Sequence, residues 1–188
     1  HVFVTTYPDG LQNMDSVFAA DYTGAGYDIM TYLLKKGYKK ILWAKPQDDT
    51  SISSEIKTGI DKALQENPGK REFREIPCHY SQIAGYELME KIHRARLDFS
   101  VVLFTSLETA AGAMDYCTKH GIRVPEEIAV AACDSPAANE AVTRITAPAV
   151  DDCLLGINAV EALVASIENR ECRQNHRTRM VLNSGDTA

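Results

Sequence analysis

Residues 100–132 read SVVLFTSLETAAGAMDYCTKHGIRVPEEIAVAA, and this stretch decides the fold class. Val101 to Phe104 is unbroken apolar sequence, as expected of a central strand covered on both faces. A helix is expected over Leu107 to His120, and a second strand over Ile128 to Ala132. A strand, a helix and a strand joined by short connections form a βαβ unit, which requires a parallel sheet.

The same alternation extends upstream. Strands are expected at Lys40–Ala44 and Phe73–Pro77, with helices at Ser51–Glu66 and Ser81–Arg94. From Tyr22 to Lys36, Gly26, Ile29, Met30, Leu33 and Leu34 fall on one helical face, and Gly37 is a natural stop. Gly26 reads as a point of close helix packing. Val2–Thr6 and Ser16–Ala20 read as short strands around the turn-rich Tyr7-Pro8-Asp9-Gly10. Downstream of Asp134 the pattern changes. Residues Ser135 to Thr143 are small and polar, and Ile145 to Val150 carries Pro148. A long helix over Asp152–Glu168 places Val160, Leu163, Val164 and Ile167 on one side. The polar run Asn169–Arg177 reads as a connector to a last strand around Arg179–Leu182.

The 188 residues allow one ordinary domain or two small lobes. A composition of 45% hydrophobic and 24% charged residues is that of a soluble globular protein. The net charge of −6 removes any general attraction to phosphate backbones, so these residues are not expected to touch DNA. The five cysteines, Cys78, Cys117, Cys133, Cys153 and Cys172, are scattered and odd in number, which predicts reduced thiols in a cytoplasm. No run reaches the roughly 18 apolar residues of a membrane span. The opening His1-Val2-Phe3-Val4 reads as a chain entered in mid-fold, which predicts an excised fragment.

Catalytic chemistry has no visible constellation. GxSxG, HExxH and CxxC are absent, and His79, His93, His120 and His176 lack spaced partners in sequence. The pairs Asp48-Asp49, Glu126-Glu127 and Asp151-Asp152 read as solvated surface and caps. Asp21-Tyr22-Thr23-Gly24-Ala25-Gly26 contains a GxG, but Ile29 stands where a dinucleotide fingerprint needs its third glycine. The expectation is a non-enzyme with no cofactor and no metal.

Five collinear segments resemble the effector domain of the LacI/GalR family of regulators. They are Val2-Phe3-Val4, Val17–Gly24 (VFAADYTG), Tyr32–Ile41 (YLLKKGYKKI), Gly59–Leu64 and Gly121–Val130 (GIRVPEEIAV), with Leu154-Leu155-Gly156, Ala159 and Leu163 in support. The resemblance implies an α/β, three-layer, periplasmic-binding-protein-like fold, mostly its second lobe. Residues 1–19 would end the first lobe, 20–148 form the second, 149–178 return to the first, and 179–188 form a C-terminal strand. It also implies a cytoplasmic sensing and dimerisation module. A small sugar or nucleobase-like effector would lie between the lobes, and DNA would be contacted only through a headpiece upstream. The alternatives are a transport-type solute-binding receptor and a flavodoxin-like enzyme.

By the same resemblance, Asp134 stands where the family keeps a ligand-binding acid, whose carboxylate accepts two hydroxyls. Tyr80 stands at the aromatic position that packs on the ligand. Ser106-Leu107 replaces an Asn-Asp pair, Ile56 an arginine, Thr5 a first-lobe acid and Val150 a polar hinge residue. Those changes predict a less polar ligand than a typical sugar, or a loss of sensing. Ser51, Ser53, Ser54, Ser106 and Glu108 remain candidate contacts, with helix capping as their structural alternative. Ala110, Ala111 and Met114 are the small face expected at a dimer contact. The helix after Asp151, deprived of part of its packing surface, is expected to self-associate.

Overall fold

The alternation read from the sequence becomes fifteen named elements in a computed structural model that describes residues 2–4, 16–47, 50–136, 144–168 and 175–188. In chain order they are β1 (Val2–Val4), β2 (Ser16–Ala20), α1 (Tyr22–Lys35), β3 (Lys40–Lys45), α2 (Ser51–Glu66), β4 (Glu72–Pro77) and α3 (Gln82–Arg94). There follow β5 (Val101–Phe104), α4 (Leu107–His120), β6 (Ala129–Ala132), β7 (Ser135–Pro136), β8 (Ala147–Val150), α5 (Asp152–Ile167), β9 (Asn175–Thr178) and β10 (Val181–Asn183).

The main sheet has the order β4-β3-β5-β6, with all pairings parallel. Side chains of a strand alternate between its faces, and here both faces are covered. Ile41, Trp43, Val101, Leu103, Ala129 and Ala131 pack with Ile29, Met30 and Leu33 of α1 and Ile56, Ile60 and Ala63 of α2. Their neighbours Leu42, Ala44, Val102, Phe104, Val130 and Ala132 pack on the other side, with Leu88, Met89 and Ile92 of α3 and Ala110, Ala113 and Tyr116 of α4. The result is a three-layer α/β/α unit. Each large apolar side chain buried in it contributes about 1.5–3 kcal/mol before entropy is subtracted.

Glycines set the spacing within the helix layers. A Cβ on Gly26 would collide with the carbonyl oxygen of Ile56, and one on Gly59 with that of Thr23, so α1 and α2 meet backbone to backbone. On the opposite face, Gly85 lies against the Thr109 carbonyl and Gly112 against the Gln82 carbonyl, joining α3 to α4 in the same way. The close packing expected at Gly26 is therefore present and has three counterparts.

A second, smaller sheet has the order β1-β2-β9, again parallel, with α5 packed on it through Leu155, Ala159 and Ala162 against Phe18. The polar run expected to be only a connector thus ends in a strand. Asn175–Thr178 pairs with β2, and the backbone ladder holds a sequence that has no apolar pattern of its own. The last strand lies at Val181–Asn183, antiparallel to β8, slightly later than expected. Beyond it the chain docks on the main unit. Val130 N donates to the Thr187 carbonyl at 2.9 Å, Tyr32 Oη donates to the Ala188 carbonyl at 2.8 Å, and Ala188 is buried.

Ala110 is fully buried against the sheet, which removes it from the small face expected at a dimer contact; Ala111 and Met114 are half-buried. On α5, Leu154, Ile157, Val160, Leu163, Val164 and Ile167 are all exposed, so its outward face is apolar as well. Exposed apolar surface of that extent predicts concentration-dependent association, and a monomer in sedimentation at high concentration would count against it. For the helix pairs, Gly59→Ala and Gly112→Ala should each lose more than about 1 kcal/mol through overpacking. Gly156→Ala on α5, where an added Cβ meets nothing within 4 Å, should instead gain about 0.5–1 kcal/mol. Urea-unfolding midpoints of the three variants test the difference in sign.

Candidate functional site

The order β4-β3-β5-β6 reverses direction between β3 and β5. The chain moves outward from β3 to β4 through α2, then returns through α3 to the other side of β3. Helices leave such a reversal on opposite faces, and the strand ends there open into a crevice suited to a ligand. The residues at those ends are Thr50 after β3, Tyr80 after β4, Ser106 after β5 and Asp134 after β6.

Asp134 has an unusual environment. It is partly buried, its Oδ1 accepts from Leu107 N at 3.3 Å, and no cation among the described residues forms an ion pair with it. Burial pushes its pKa up to about 6, against the opposing effect of the Leu107 bond. The Tyr80 ring is 46% exposed. Its hydroxyl is pushed up to about 12, first by burial and then by the Asp134 charge, while hydrogen bonding to Thr50 pulls the other way. Tyr22, the first residue of α1, is likewise raised to about 12, by burial and then by Asp134, Tyr80, Asp152 and Glu55. Asp134 thus lies close enough to both phenols to act on each. Across this region Arg177 of β9 donates to Glu55 on α2 at 2.9 Å and links the small sheet to the main unit.

The remaining sequence candidates divide. Ser106 is the N-cap of α4: its Oγ accepts from Thr109 N at 3.3 Å and lies 2.9 Å from Thr109 Oγ1. Ser53 is 2% exposed and closes a capping box with Thr50, accepting from Thr50 N at 2.9 Å. Its hydroxyl therefore acts on the crevice by holding Thr50 in place. Glu108, in the first turn of α4, and Ser51 and Ser54, in the first turn of α2, are exposed. Thr5 lies outside the described residues. Ile56 and Val150, which stand at expected polar positions, are buried in apolar clusters. Asp21 caps α1 by accepting from Gly24 N at 2.8 Å, so the GxG stretch there serves a helix start.

Sequence reading missed Tyr22, Thr50, Glu55 and Arg177. Tyr22 and Thr50 had a usable signal, since each follows a predicted strand. Glu55 and Arg177 had none, because 122 residues separate them. Two histidines that lacked partners in sequence also meet in space. His93 Nδ1 lies 3.0 Å from Tyr116 Oη, and the His120 ring stacks on Tyr116 at 4.0 Å between centroids. No group of three or more His, Cys, Asp or Glu among the described residues is placed to hold a metal ion. Cys78, Cys117, Cys133 and Cys153 are free thiols. No described helix is long and apolar enough to cross a membrane.

The sequence model described as periplasmic binding protein-like domain matches residues 30–187. The chain belongs to that family. This periplasmic binding protein-like domain is 28% identical over 158 residues to the NTD biosynthesis operon regulator NtdR of Bacillus subtilis (strain 168), covering 79% of this chain and 48% of that protein. It is 25% identical over 173 residues to the HTH-type transcriptional regulator IdnR of Escherichia coli (strain K12), covering 89% and 50%. The chain spans about half the length of these curated relatives. Among solved structures, a LacI family transcriptional regulator from Enterococcus faecium with bound ribose superposes with a TM-score of 0.81. At 16% identity the match covers 100% of this chain and 71% of that one. The domain has the fold of LacI-family effector-binding regions.

Asp134 generates a pH prediction. A carboxyl whose folded pKa is raised binds its proton more tightly in the native state. Stability should therefore fall as pH rises from the ordinary aspartate value near 3.8 to about 6, and stay lowered above it. The shift corresponds to about 2–3 kcal/mol. Asp134→Asn keeps an acceptor for Leu107 N and removes the charge. It should unfold at higher urea than the native protein at pH 7.5, with the gap closing near pH 4. An equal gap at both pH values would locate the effect elsewhere.

Proposed function

We propose that this domain is the ligand-sensing and dimerisation part of a LacI-type DNA-binding transcription regulator, with a small-molecule effector in the crevice at the carboxyl ends of β3 to β6. The observation that carries the reading is the convergence of Asp134, Tyr80, Tyr22 and Thr50 at the strand-order reversal. An unpaired, partly buried carboxylate beside two phenols suits a polyol. The acid accepts two hydroxyls, and the Tyr80 ring offers an apolar face to a sugar or nucleobase. Ser106 and Glu108 flank the site from α4, Ser53 supports it through Thr50, and Thr5 would approach from the first lobe. Ile56 and Val150, apolar and buried in the core, supply no polar anchor, which favours a ligand with fewer hydroxyl contacts.

In this reading residues 1–19 and 149–178 belong to the first lobe, 20–148 to the second, and 179–188 form the C-terminal strand and its docking tail. An effector touching both lobes favours the closed arrangement and so shifts the population of DNA-competent molecules. DNA is contacted through a headpiece outside these residues, the active form is a homodimer, the setting is cytoplasmic, and the domain performs no catalysis. The names of both curated relatives, each a regulator, support this over a transport receptor.

The test is a thermal-shift screen of pentoses, hexoses and nucleobases on the native protein and on Asp134→Ala and Tyr80→Ala. A true effector at 100 times its Kd stabilises by about 2.7 kcal/mol, which is a readily seen shift in Tm. Both variants should lose it. A compound that stabilises all three proteins equally would place its site elsewhere, and no response from any compound would count against a sugar- or base-sensing role.

A further inference from the structure

At the opposite, N-terminal edge of the main sheet, a cavity of about 590 Å³ lies between the ends of α1 and α2 and the starts of β3 and β4. Four cations line it: Lys35 from the last turn of α1, Lys39 just before β3, and Lys70 and Arg71 just before β4. None of the four side chains forms an ion pair or hydrogen bond among the described residues. Nearby cations behave differently, since Lys57 pairs with Asp61, Arg74 with Glu72 and Lys36 lies over the Tyr32 ring. The single acid in the lining, Glu66, is engaged by the Tyr27 hydroxyl at 2.7 Å.

Exposed lysines alone would mean little. Arg71 adds a second kind of observation: its Nη1 is buried and has no acceptor among the described residues. Buried donors in folded proteins almost always have a partner, and a guanidinium nitrogen that lacks one is a strong donor held ready for an oxygen. Several carbonyls at the two helix ends are already occupied by protein donors. Lys36 N and Tyr38 N reach back to Tyr32 and Leu33, and Asn67 bonds Ala63 through both its backbone and its side chain. The partial negative charge of two helix C-termini therefore faces four whole positive charges, and the balance favours an anion.

We propose that this cavity is a second ligand site, distinct from the crevice at the other sheet edge, that takes a small polyanion such as a compound with two phosphoryl groups. Arg71 Nη1 donates to one anionic oxygen, and Lys35, Lys39 and Lys70 neutralise the remainder. The volume fits a diphosphate or a sugar-sized bisphosphate. The backbone bond from Glu72 N to the Lys39 carbonyl, at 2.8 Å, holds the two cation-bearing segments side by side.

The experiment is calorimetric titration of the intact protein with inorganic pyrophosphate in low salt, with Gly37 and Gly69 amide shifts followed by NMR. Saturable binding is expected, weakened at least tenfold by Arg71→Gln and by the double change Lys39→Gln with Lys70→Gln. Asp134→Asn and Lys62→Gln should leave it unchanged. Because the lysine variants alter only exposed side chains, they keep the test valid if Arg71→Gln fails to fold. Absence of binding at millimolar pyrophosphate would overturn the proposal. So would binding that Lys62→Gln weakens as much as the pocket variants do, since that marks general surface attraction.

Discussion

The backbone contact between paired helices governs the rest of the molecule. Where Gly26 meets the Ile56 carbonyl and Gly59 the Thr23 carbonyl, α1 and α2 have no side chain between them, so their relative position is set by hard contact. Gly85 and Gly112 do the same for α3 and α4. Each face of the sheet is therefore covered by a rigid two-helix slab, and the ends of the slabs are fixed with respect to the strand ends. Tyr22, Thr50 and Glu55 sit at the start of one slab. Ser106 and Glu108 sit at the start of the other. Residues scattered over more than eighty positions of sequence converge because four glycines allow it.

On the proposed reading of the crevice, fold stability and ligand recognition oppose each other. Asp134 is kept partly buried with one backbone donor and no cation, which raises its pKa and makes its ionised form a cost to the native state. A fold optimised only for stability would place an asparagine there or supply a lysine. A carboxylate short of donors is instead suited to a ligand that brings hydroxyls to it. Ser53 and Thr50 meet the helix-end requirement of α2 through a reciprocal cap, as Ser106 does for α4.

Most of the main unit was legible in the sequence because its signals are local. Val101–Phe104 is apolar throughout, the helices carry a 3.6-residue period, and Gly37 ends α1 with a positive φ of 91° that favours glycine. Asp134 and Tyr80 were candidates by resemblance, and both lie just after strands at the reversal of strand order. What stayed hidden depends on contacts distant in sequence. Strand β9 is polar Asn-His-Arg-Thr and becomes a strand only by pairing with β2. The Glu55–Arg177 bridge and the meeting of His93 with Tyr116 and His120 have no pattern that periodicity can detect. Ser53 and Ser106 were ambiguous for a different reason. A serine before or within a helix's first turn has the same composition whether it caps or binds, and only hydrogen-bond geometry separates the two.

The two edges of the main sheet differ in electrostatic sign, although the chain as a whole carries −6. Around the crevice the acids acting on Tyr22 are Asp134, Asp152 and Glu55, and a cation there, Arg177, is held by Glu55. Around the opposite cavity the unpaired charges are Lys35, Lys39, Lys70 and Arg71. On the two proposals together, a phosphorylated ligand would be repelled from the first region and drawn to the second, while a neutral polyol would find its acceptor at the first. The same sheet would then separate two ligand chemistries by about the length of its strands. Because α1 and α2 run from one edge to the other as a glycine-locked pair, both regions are built on a single rigid element.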